Sequence, residues 1–355
     1  MPQPSPLRRA SAPSILQPAE GFGSWTDFVV AVRRHEMGPR DPRLAAAAAT
    51  AITKSGVGTD GGFAIPGPYG EQINNAVRSE KSLLALTDMW FTETNAINFP
   101  SDQATAWGAS GVKAHWVGEG EPIPQSKVDL QNVSARLDKI EVMLPVTEEM
   151  VADALLLSQY LQRKAPEEID GAISLAIMRG TGAGTPLGIL NSPALVVVDK
   201  ETSQTADTIV AANVAKMLGR LPASSYPNAV WLVHPDALPQ LPLLNVGGAN
   251  LFAWAAGMPS GAVGLLLGRP VIPHQVCSTV GDSGDIVLAD FSQYLTGVKV
   301  GGLRYQISIH LWFDRDVHAY RFTLRSLGQP WLAAPIVPRV GAQTLSPFVA
   351  LAARD

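Results

Sequence analysis

The segment 100–135 sets the strongest limit on how this chain can fold. Turn-forming residues interrupt it throughout, at Gly108, Gly111, Gly118, Gly120, Pro122 and Pro124. Its few large apolar side chains, among them Trp107, Val112 and Trp116, cannot bury one another in a local core. Ordering such a hairpin-like arm costs about 1–2 kcal/mol per residue in backbone entropy. We therefore expect another copy of the chain to cover it, and packing against the same chain is the alternative.

The rest of the composition indicates a folded protein with a large core. The chain has 355 residues, of which 46% are hydrophobic and 16% charged, so it is long enough for about two domains. Its net charge of −4 gives no overall attraction to nucleic acid. The single cysteine, Cys277, excludes an intramolecular disulfide and a cysteine-rich zinc site. A basic nucleic-acid-binding protein and a disulfide-stapled secreted protein are both disfavoured, and a cytoplasmic protein is expected.

Neither the N-terminus nor the longest uncharged stretch predicts a membrane segment. Residues 1–21 include Arg8 and Arg9, but five prolines break the segment and no apolar signal sequence follows. The stretch 237–268 carries no charge, yet it contains three prolines and six glycines. Proline in a helix interior removes a hydrogen bond and clashes with the preceding turn, so a spanning helix is not expected there.

Apolar periodicity divides the remaining chain into helical and extended parts. Period-two alternation predicts one long strand from Ala135 to Val146, and a helical pattern follows over 148–178. Pro166 is expected to kink that helix or to divide it in two. Residues 205–299 alternate helix and strand signals, as in an α/β domain. Further predicted elements are helices from Ser24, over 73–86, 210–221 and 236–241, and strands over 230–233, 286–289, 303–309 and 317–324.

Motifs for catalysis or metal binding are weak. The loop Gly281–Asp285 contains Ser283 in a sequence like that of serine proteases, and His274 or His310 would have to act as its base. The glycines of 180–184 follow a helix, which indicates a helix end and a turn rather than a phosphate-binding loop. The six histidines lack the spacing that places two ligands on one helical face. We expect no enzyme activity, no cofactor and no metal.

Seven fragments, in order over residues 56–335, resemble the major capsid protein family of tailed bacteriophages. Individually they are weak, and their shared order is specific. They are Gly61–Pro66, Trp116–Gly120, Val146–Met150, Gly180–Leu190, Leu267–Val271, Leu288–Tyr294 and Arg325–Pro330.

The resemblance implies an α+β fold of the Hong Kong 97 type, in which a peripheral domain with a long spine helix adjoins an axial α/β domain. It also implies an N-terminal arm and an extended E-loop. The implied boundaries are 1–55 for an N-terminal extension, 56–75 for the N-arm, 93–135 for the E-loop, 205–299 for the axial domain, and 76–92, 136–204 and 300–355 for the peripheral domain.

Three groups of residues are expected to contact neighbouring subunits. Glu119 and Glu121 flank Gly120 in the E-loop, at positions expected to be exposed to water, so intersubunit contact is favoured over catalysis. The E-loop group is Trp107, Val112, Lys113, Trp116, Glu119, Glu121, Ile123 and Lys127. The N-arm group is Phe63, Ile65 and Pro66. Candidate symmetry-axis residues are Arg304, Asp314, Arg315, Asp316 and Arg325.

The implied function is a major capsid protein whose copies assemble as pentamers and hexamers into an icosahedral shell around phage double-stranded DNA. Assembly is expected in the host cytoplasm, and DNA is expected to be enclosed without sequence-specific binding. Portal, cement and scaffolding proteins are the other implied partners. The segment before the N-arm is shorter than the scaffolding domain that some members carry, which favours a separate scaffolding protein.

The sequence departs from members that cross-link an E-loop lysine to an asparagine of the peripheral domain. Lys113 and Lys127 are present in the E-loop, but no asparagine occurs after Asn250. We therefore expect no covalent cross-linking. The alternatives for function are the shell of an encapsulin-like cellular compartment, which resembles the same fold, and a hydrolase that uses Ser283.

Overall fold

The computed structural model describes residues 82–105, 108–128, 130–147, 154–254 and 261–354. The predicted N-terminal extension, the N-arm and Trp107 lie outside these residues. The helices are α1 (Ala154–Arg179) and α2 (Ala211–Gly219). Short 3-10 helices cover Leu83–Leu86, Ile189–Asn191, Ala223–Ser225, Pro235–Leu243, Phe291–Gln293 and Phe313–Arg315. No helix in the described ranges is both long and apolar enough to cross a membrane.

The described strands form two large sheets and two small ones. In chain order they are β1 (Asp88–Thr92), β2 (Ala96–Asp102), β3 (Leu130–Arg136), β4 (Asp138–Thr147), β5 (Val196–Val198), β6 (Val230–Val233), β7 (Asn245–Val246), β8 (Ala249–Asn250), β9 (Phe252–Trp254), β10 (Gly264–Leu266), β11 (Arg269–Pro273), β12 (Ile286–Ala289), β13 (Tyr294–Lys299), β14 (Arg304–Trp312), β15 (Val317–Pro330) and β16 (Phe348–Leu351).

The predicted hairpin is a two-stranded sheet of its own. Strands β2 and β3 pair antiparallel from Ala96 opposite Arg136 to Asp102 opposite Leu130. Within the described part of 103–129, no residue belongs to a strand. The backbone amide of Leu137 donates to the carbonyl of Asn95 at 3.0 Å and closes the base of the hairpin. The hairpin thus has strands at its base and an irregular distal part.

The prediction of one long strand from Ala135 to Val146 is wrong. The chain forms two strands there, and Leu137 separates them: β3 pairs with β2, whereas β4 pairs with β15. Leu137 packs against a small cluster that contains Ala135, Leu295 and Leu327. Alternation of apolar residues continues through both strands, so the pattern cannot reveal that the partner strand changes.

The first large sheet is built around β15, which pairs antiparallel with β13, β14 and β4, while β1 pairs parallel with β13. The predicted strands 303–309 and 317–324 are confirmed as the hairpin β14–β15. Asp316 enters β15 with a positive φ of 51°. Helix α1 covers one face of this sheet through Ile169, Ile173 and Ile177, which are spaced by four residues and fully buried.

The helical prediction over 148–178 is confirmed from Ala154 onward, and residues 148–153 lie outside the described ranges. The helix continues through Pro166 as one element and is not divided in two. The expected turn after it is also confirmed: the amide of Gly180 donates to the carbonyl of Ala176 at 2.9 Å, and Gly188 donates to Gly180 at 2.9 Å. The chain then crosses back over the end of α1.

This tight crossing predicts opposite effects for two glycines of the same region. A Cβ at Gly180 would lie 1.9 Å from the carbonyl oxygen of Pro186, whereas a Cβ at Gly171 meets nothing within 4 Å. We expect Gly180→Ala to lower the free energy of unfolding by about 1–3 kcal/mol through overpacking. Gly171→Ala should raise it by up to about 1 kcal/mol, because alanine is the better helix former. Urea unfolding of both variants tests this, and equal effects would contradict the described crossing.

The second large sheet has the order β5–β16–β12–β6–β11–β10–β9. The edge strand β5 and its neighbour β16 come from the ranges 136–204 and 300–355, which were predicted to be peripheral. Strand β13, within the predicted axial range 205–299, pairs instead in the first sheet. The sheet therefore does not coincide with 205–299, because local periodicity carries no information on which distant strands pair.

Helix signals within this region have mixed outcomes. The helix predicted over 210–221 is confirmed as α2. The helix predicted over 236–241 is a 3-10 helix, Pro235–Leu243, with Pro239 and Pro242 inside it. A proline nitrogen cannot donate the hydrogen bond that an α-helix requires at these positions, so an α-helical hydrogen-bond ladder cannot continue through them.

The two large sheets share one hydrophobic core. A continuous buried cluster joins α1 and the first sheet to Leu232, Val287 and Phe348 of the second sheet. A second cluster, which includes Val214 of α2 and Trp231, covers the other face of the second sheet. Among the side chains described for it, the hairpin β2–β3 contributes only Ala135 as a buried apolar residue, and this residue belongs to a minor cluster. Its described side chains thus add little to the two main clusters.

Candidate functional site

The distal part of the hairpin leaves its large apolar side chains in water. Trp116 is as exposed as in an extended peptide, at 105%, and Ile123 and Val112 are 77% and 64% exposed. Burying a side chain of this size is worth about 1.5–3 kcal/mol, so three of them left out of the core form a strong candidate contact surface. The structure therefore gives no support to intramolecular packing of these residues.

The tip of the hairpin is an acidic turn. The amide of Glu121 donates to the carbonyl of Gly118 at 3.2 Å, and Gly120 adopts a positive φ of 82° that favours glycine. Glu119 and Glu121 are both exposed, and within the described residues neither forms an ion pair. We call these two residues and the turn between them the acidic tip.

The two E-loop lysines are placed differently. Lys127 is exposed. The ammonium of Lys113 turns back on its own hairpin and donates to the carbonyl oxygens of Thr105, at 3.3 Å, and of Gly108. Lys113 is therefore already engaged within its own chain.

A part of the hairpin is anchored to a segment that sequence reasoning did not connect with it. The amide of Ala109 donates to the carbonyl of Val337 at 2.8 Å. The side chain of Gln103 donates to the carbonyl of Trp331 at 3.2 Å and accepts from the amide of Ala333 at 2.7 Å. The segment 331–338 thus fixes the direction in which the hairpin leaves the sheet.

The segment 243–254, which ends in the edge strand β9 of the second sheet, exposes three further large apolar side chains. Leu243, Val246 and Trp254 are 75%, 57% and 64% exposed. Sequence reasoning considered the uncharged stretch 237–268 as a candidate membrane segment and did not predict these exposed side chains. The absence of any charge over that stretch was the signal that could have pointed to an interface.

The outer face of the first sheet is strongly cationic. On β15, Arg321 and Arg325 alternate with Phe322 and Leu324, which pack toward α1, so the arginines point to the opposite face. A shallow cleft of about 210 Å³ opens there. Its charged lining, which we call the cationic cleft, consists of Lys139, Lys299, Arg304, Arg321, Arg325 and a single carboxylate, Glu141.

Most cations of this cleft bond to neutral groups. Lys299 Nζ and Arg325 Nη1 both donate to Asn95 Oδ1, at 2.8 and 3.3 Å, and Arg321 donates to Gln306. Only Lys139 contacts the carboxylate, at 3.0 Å from Glu141. The hydrogen bond from Lys139, together with the hydrogen bond from Thr323 and the positive charge of Arg321, lowers the pKa of Glu141.

The predicted symmetry-axis residues fall into two separate groups. Arg304 and Arg325 line the cationic cleft. Asp314, Arg315 and Asp316 lie at the turn between β14 and β15, where Arg315 Nε is 3.8 Å from Asp314 Oδ2 and both side chains are exposed. Exposed ion pairs of this kind contribute about 0–1 kcal/mol.

The carboxylate of Asp285, in the loop that contains Ser283, has a structural role. Asp285 is fully buried and pairs with the guanidinium of Arg354, which is also fully buried. Its two oxygens accept from the amides of Gly281, at 3.2 Å, and Ile286, at 2.8 Å. Asp285 is thus committed to the end of the chain rather than to orienting a catalytic base.

Other groups with catalytic potential are also engaged or buried. His274 Nδ1 accepts from the amide of Val276 at 3.3 Å, and burial lowers the pKa of its imidazole. Burial raises the pKa of the Cys277 thiol to about 12, so this thiol is not a nucleophile in the folded protein. Within the described ranges, no three His, Cys, Asp or Glu side chains cluster as metal ligands would.

The phage capsid family model matches residues 61–340 of this chain. Among solved structures, the capsid of a native GTA particle superposes with a TM-score of 0.60 at 17% identity, covering 78% of this chain and 91% of that chain. Chains of Microbacterium phage Oxtober96 and Mycobacterium phage Adephagia give TM-scores of 0.53 and 0.52, at 14% and 16% identity. They cover 77% and 76% of this chain and 91% and 89% of those chains. No curated protein sequence matches the chain. The predicted α+β fold of the Hong Kong 97 type is confirmed.

Proposed function

The chain belongs to the phage capsid family and is a major capsid protein of an icosahedral shell; we propose that its copies form pentamers and hexamers, and that the shell encloses double-stranded DNA. The observation that carries this proposal is the exposed Trp116 on a hairpin without a core of its own. Hydration of an exposed tryptophan side chain is unfavourable in free energy. Burial against a neighbouring subunit removes this unfavourable contribution.

The E-loop residues Val112, Trp116 and Ile123 would supply the apolar centre of the contact, and Lys127 its polar rim. The N-arm residues Phe63, Ile65 and Pro66 are proposed as a second contact, by the resemblance alone. The exposed side chains of Leu243, Val246 and Trp254 are a third candidate. Interfaces of obligate assemblies commonly exceed about 2,000 Å², so several separate contacts per subunit are expected.

DNA would be enclosed rather than bound. The chain carries a net charge of −4, and a like-charged wall does not retain a polyanion. Assembly in the host cytoplasm, a separate scaffolding protein, a portal protein and a cement protein complete the proposal. No catalytic step is assigned to the chain.

The contents of purified particles test this function. Particles made in infected or induced cells are expected to protect double-stranded DNA from added nuclease. Particles that contain a protein cargo and no protected DNA would support the encapsulin-like alternative instead. Hydrolysis that is lost in Ser283→Ala would be needed to support an enzyme.

We expect shells of this protein to carry no covalent cross-links between subunits. In the range 300–355 of the peripheral domain no asparagine occurs, and Asn191 in the range 136–204 donates its side-chain amide to the carbonyls of Arg179 and Gly180, at 2.8 and 3.1 Å. Lys113 is hydrogen-bonded within its own hairpin. Shells boiled in detergent should therefore run as one band at the 37.6 kDa of the monomer. A ladder of multimers on the gel would contradict this expectation.

A further inference from the structure

The strand register brings the arginines of the cationic cleft together on one sheet face. Thr323 of β15 lies opposite Arg304 of β14 and, on its other side, opposite Glu141 of β4. Arg321 and Arg325 stand two residues to either side of Thr323, so both lie diagonal to Arg304. Diagonal neighbours on one face are about 7–8 Å apart, within reach of long side chains. Three guanidinium groups can therefore reach one bound ion.

The cleft has more positive charge than its own subunit neutralises. It holds five cationic side chains and one carboxylate, and that carboxylate, Glu141, already lies 3.0 Å from Lys139 Nζ. Among the described residues, Arg304, Arg321 and Arg325 form no ion pair. Like charges held together raise the energy of the free subunit, and an anion bound among them lowers it.

The cations of the cleft keep hydrogen-bond donors available. Lys299 and Arg325 share a single neutral acceptor, Asn95 Oδ1. Arg321 donates to one neutral amide oxygen, and Arg304 makes no side-chain hydrogen bond to a described residue. A guanidinium group has five N–H donors in a fixed planar arrangement. Most donors of the three arginines therefore remain free for a ligand rich in oxygen acceptors.

The chemistry and the size of the cleft select a compact phosphate-bearing ligand. Guanidinium groups bind phosphate through two parallel, charge-assisted hydrogen bonds. The volume of about 210 Å³ is below the range of about 300–1,000 Å³ that is typical for pockets of drug-sized ligands. An apolar ligand would leave the cations without partners, and a metal cation would be repelled by them.

We propose that the cationic cleft is a binding site for a compact phosphate-bearing anion, in the range from inorganic phosphate to a chain of three phosphates. Arg304 and Arg321 bind the phosphate oxygens, and Arg325 and Lys299 extend the positive surface toward Asn95. The site lies within one subunit, because β4, β13, β14 and β15 of the same chain supply its charged lining. It therefore goes beyond the capsid function and does not require assembly.

The phosphate backbone of enclosed DNA is the other source of the same chemistry. The compact anion is favoured because the positive surface is short: in the next row of the sheet, Arg321 lies between Gln306 and Met143, which carry no charge. Binding to a duplex uses many phosphate contacts along the backbone. The net charge of −4 also repels a long polyanion.

The experiment titrates the unassembled chain with inorganic triphosphate and, separately, with a short DNA duplex, by calorimetry at constant ionic strength set with sodium chloride. The cleft variant is Arg304→Gln with Arg321→Gln. The matched control is Arg315→Gln with Arg339→Gln, which removes the same charge from two exposed arginines outside the cleft. A third variant, Glu141→Gln, removes the only carboxylate of the cleft.

The cleft variant should bind triphosphate at least about tenfold more weakly than wild type, because it loses two charge-assisted contacts. The control should stay within about threefold of wild type. Glu141→Gln should bind about threefold more tightly or better, since a repelling charge is removed. A gain of affinity cannot result from misfolding. Without ligand, all variants should melt within about 2 °C of wild type, because they change only side chains at the protein surface.

Three results would overturn this site. The first is a wild-type chain that shows no binding of triphosphate above the chloride background. The second is equal affinity in wild type and the cleft variant. The third is a duplex that binds through Arg304 and Arg321 more tightly than triphosphate does, which would assign the cleft to nucleic acid. Shell formation is not measured in this experiment, so each of these results leaves the capsid function intact.

Discussion

Replacing Arg354 with alanine should lower the free energy of unfolding by about 3–5 kcal/mol, because it leaves the carboxylate of Asp285 buried without its counter-charge. Both side chains have no exposed surface. Asp285 would keep only the amides of Gly281 and Ile286 as partners. A loss of this size approaches the whole stability of a typical domain.

The effect should be specific to the side chain. The backbone of Arg354 donates to Gly281 at 2.7 Å and accepts from Asp207 at 3.1 Å, and alanine keeps both bonds. Arg315→Ala is the matched control, since it removes an arginine from an exposed pair and should cost at most about 1 kcal/mol. Urea unfolding of unassembled chains measures both. Equal losses in the two variants would show that the buried pair does not hold the chain end.

Changing Val112, Trp116 and Ile123 together to serine should abolish shell formation without destabilising the subunit. Loss of a central tryptophan at an interface costs about 2 kcal/mol or more, equivalent to roughly a 30-fold weaker contact for Trp116 alone. The same side chains contribute nothing to the isolated fold, because all three are largely in water. The free energy of unfolding should therefore change by less than about 0.5 kcal/mol.

Light scattering and thermal unfolding of this triple variant distinguish assembly from folding. Leu175→Gln is the matched control, because Leu175 is a half-exposed apolar residue of α1 away from the hairpin. The control should assemble as wild type does. Shells formed by the triple variant at the wild-type concentration would show that the hairpin is not an intersubunit contact.

The local sequence pattern was sufficient to predict those elements whose signal lies in consecutive residues. The apolar residues of α1 recur at four-residue intervals, so the helix was predictable. In the hairpin, turn-forming residues recur and the apolar residues do not line up on one face, so an arm without its own core was predictable. Because the hairpin has no apolar face, Trp116 and Ile123 were predicted to lie outside the core. Their contact with a neighbouring subunit stays a prediction.

What sequence reasoning could not supply depends on contacts between distant residues. Strand β16 pairs with β5 and β12, which both precede it in the chain by more than 50 residues, and nothing in its four residues indicates those partners. The pairing of Arg354 with Asp285 is likewise invisible, because a charged residue near the chain end is ordinarily solvated. The cationic cleft arises only when β4, β14 and β15 align their outward residues.

Electron microscopy of the purified chain, expressed alone and together with a candidate scaffolding protein, tests whether its copies assemble into a capsid shell. Light scattering on the same samples gives the particle mass. We expect closed polyhedral shells, or rings of five and six subunits, in at least one of the two preparations. A homogeneous monomer or dimer in both would contradict it.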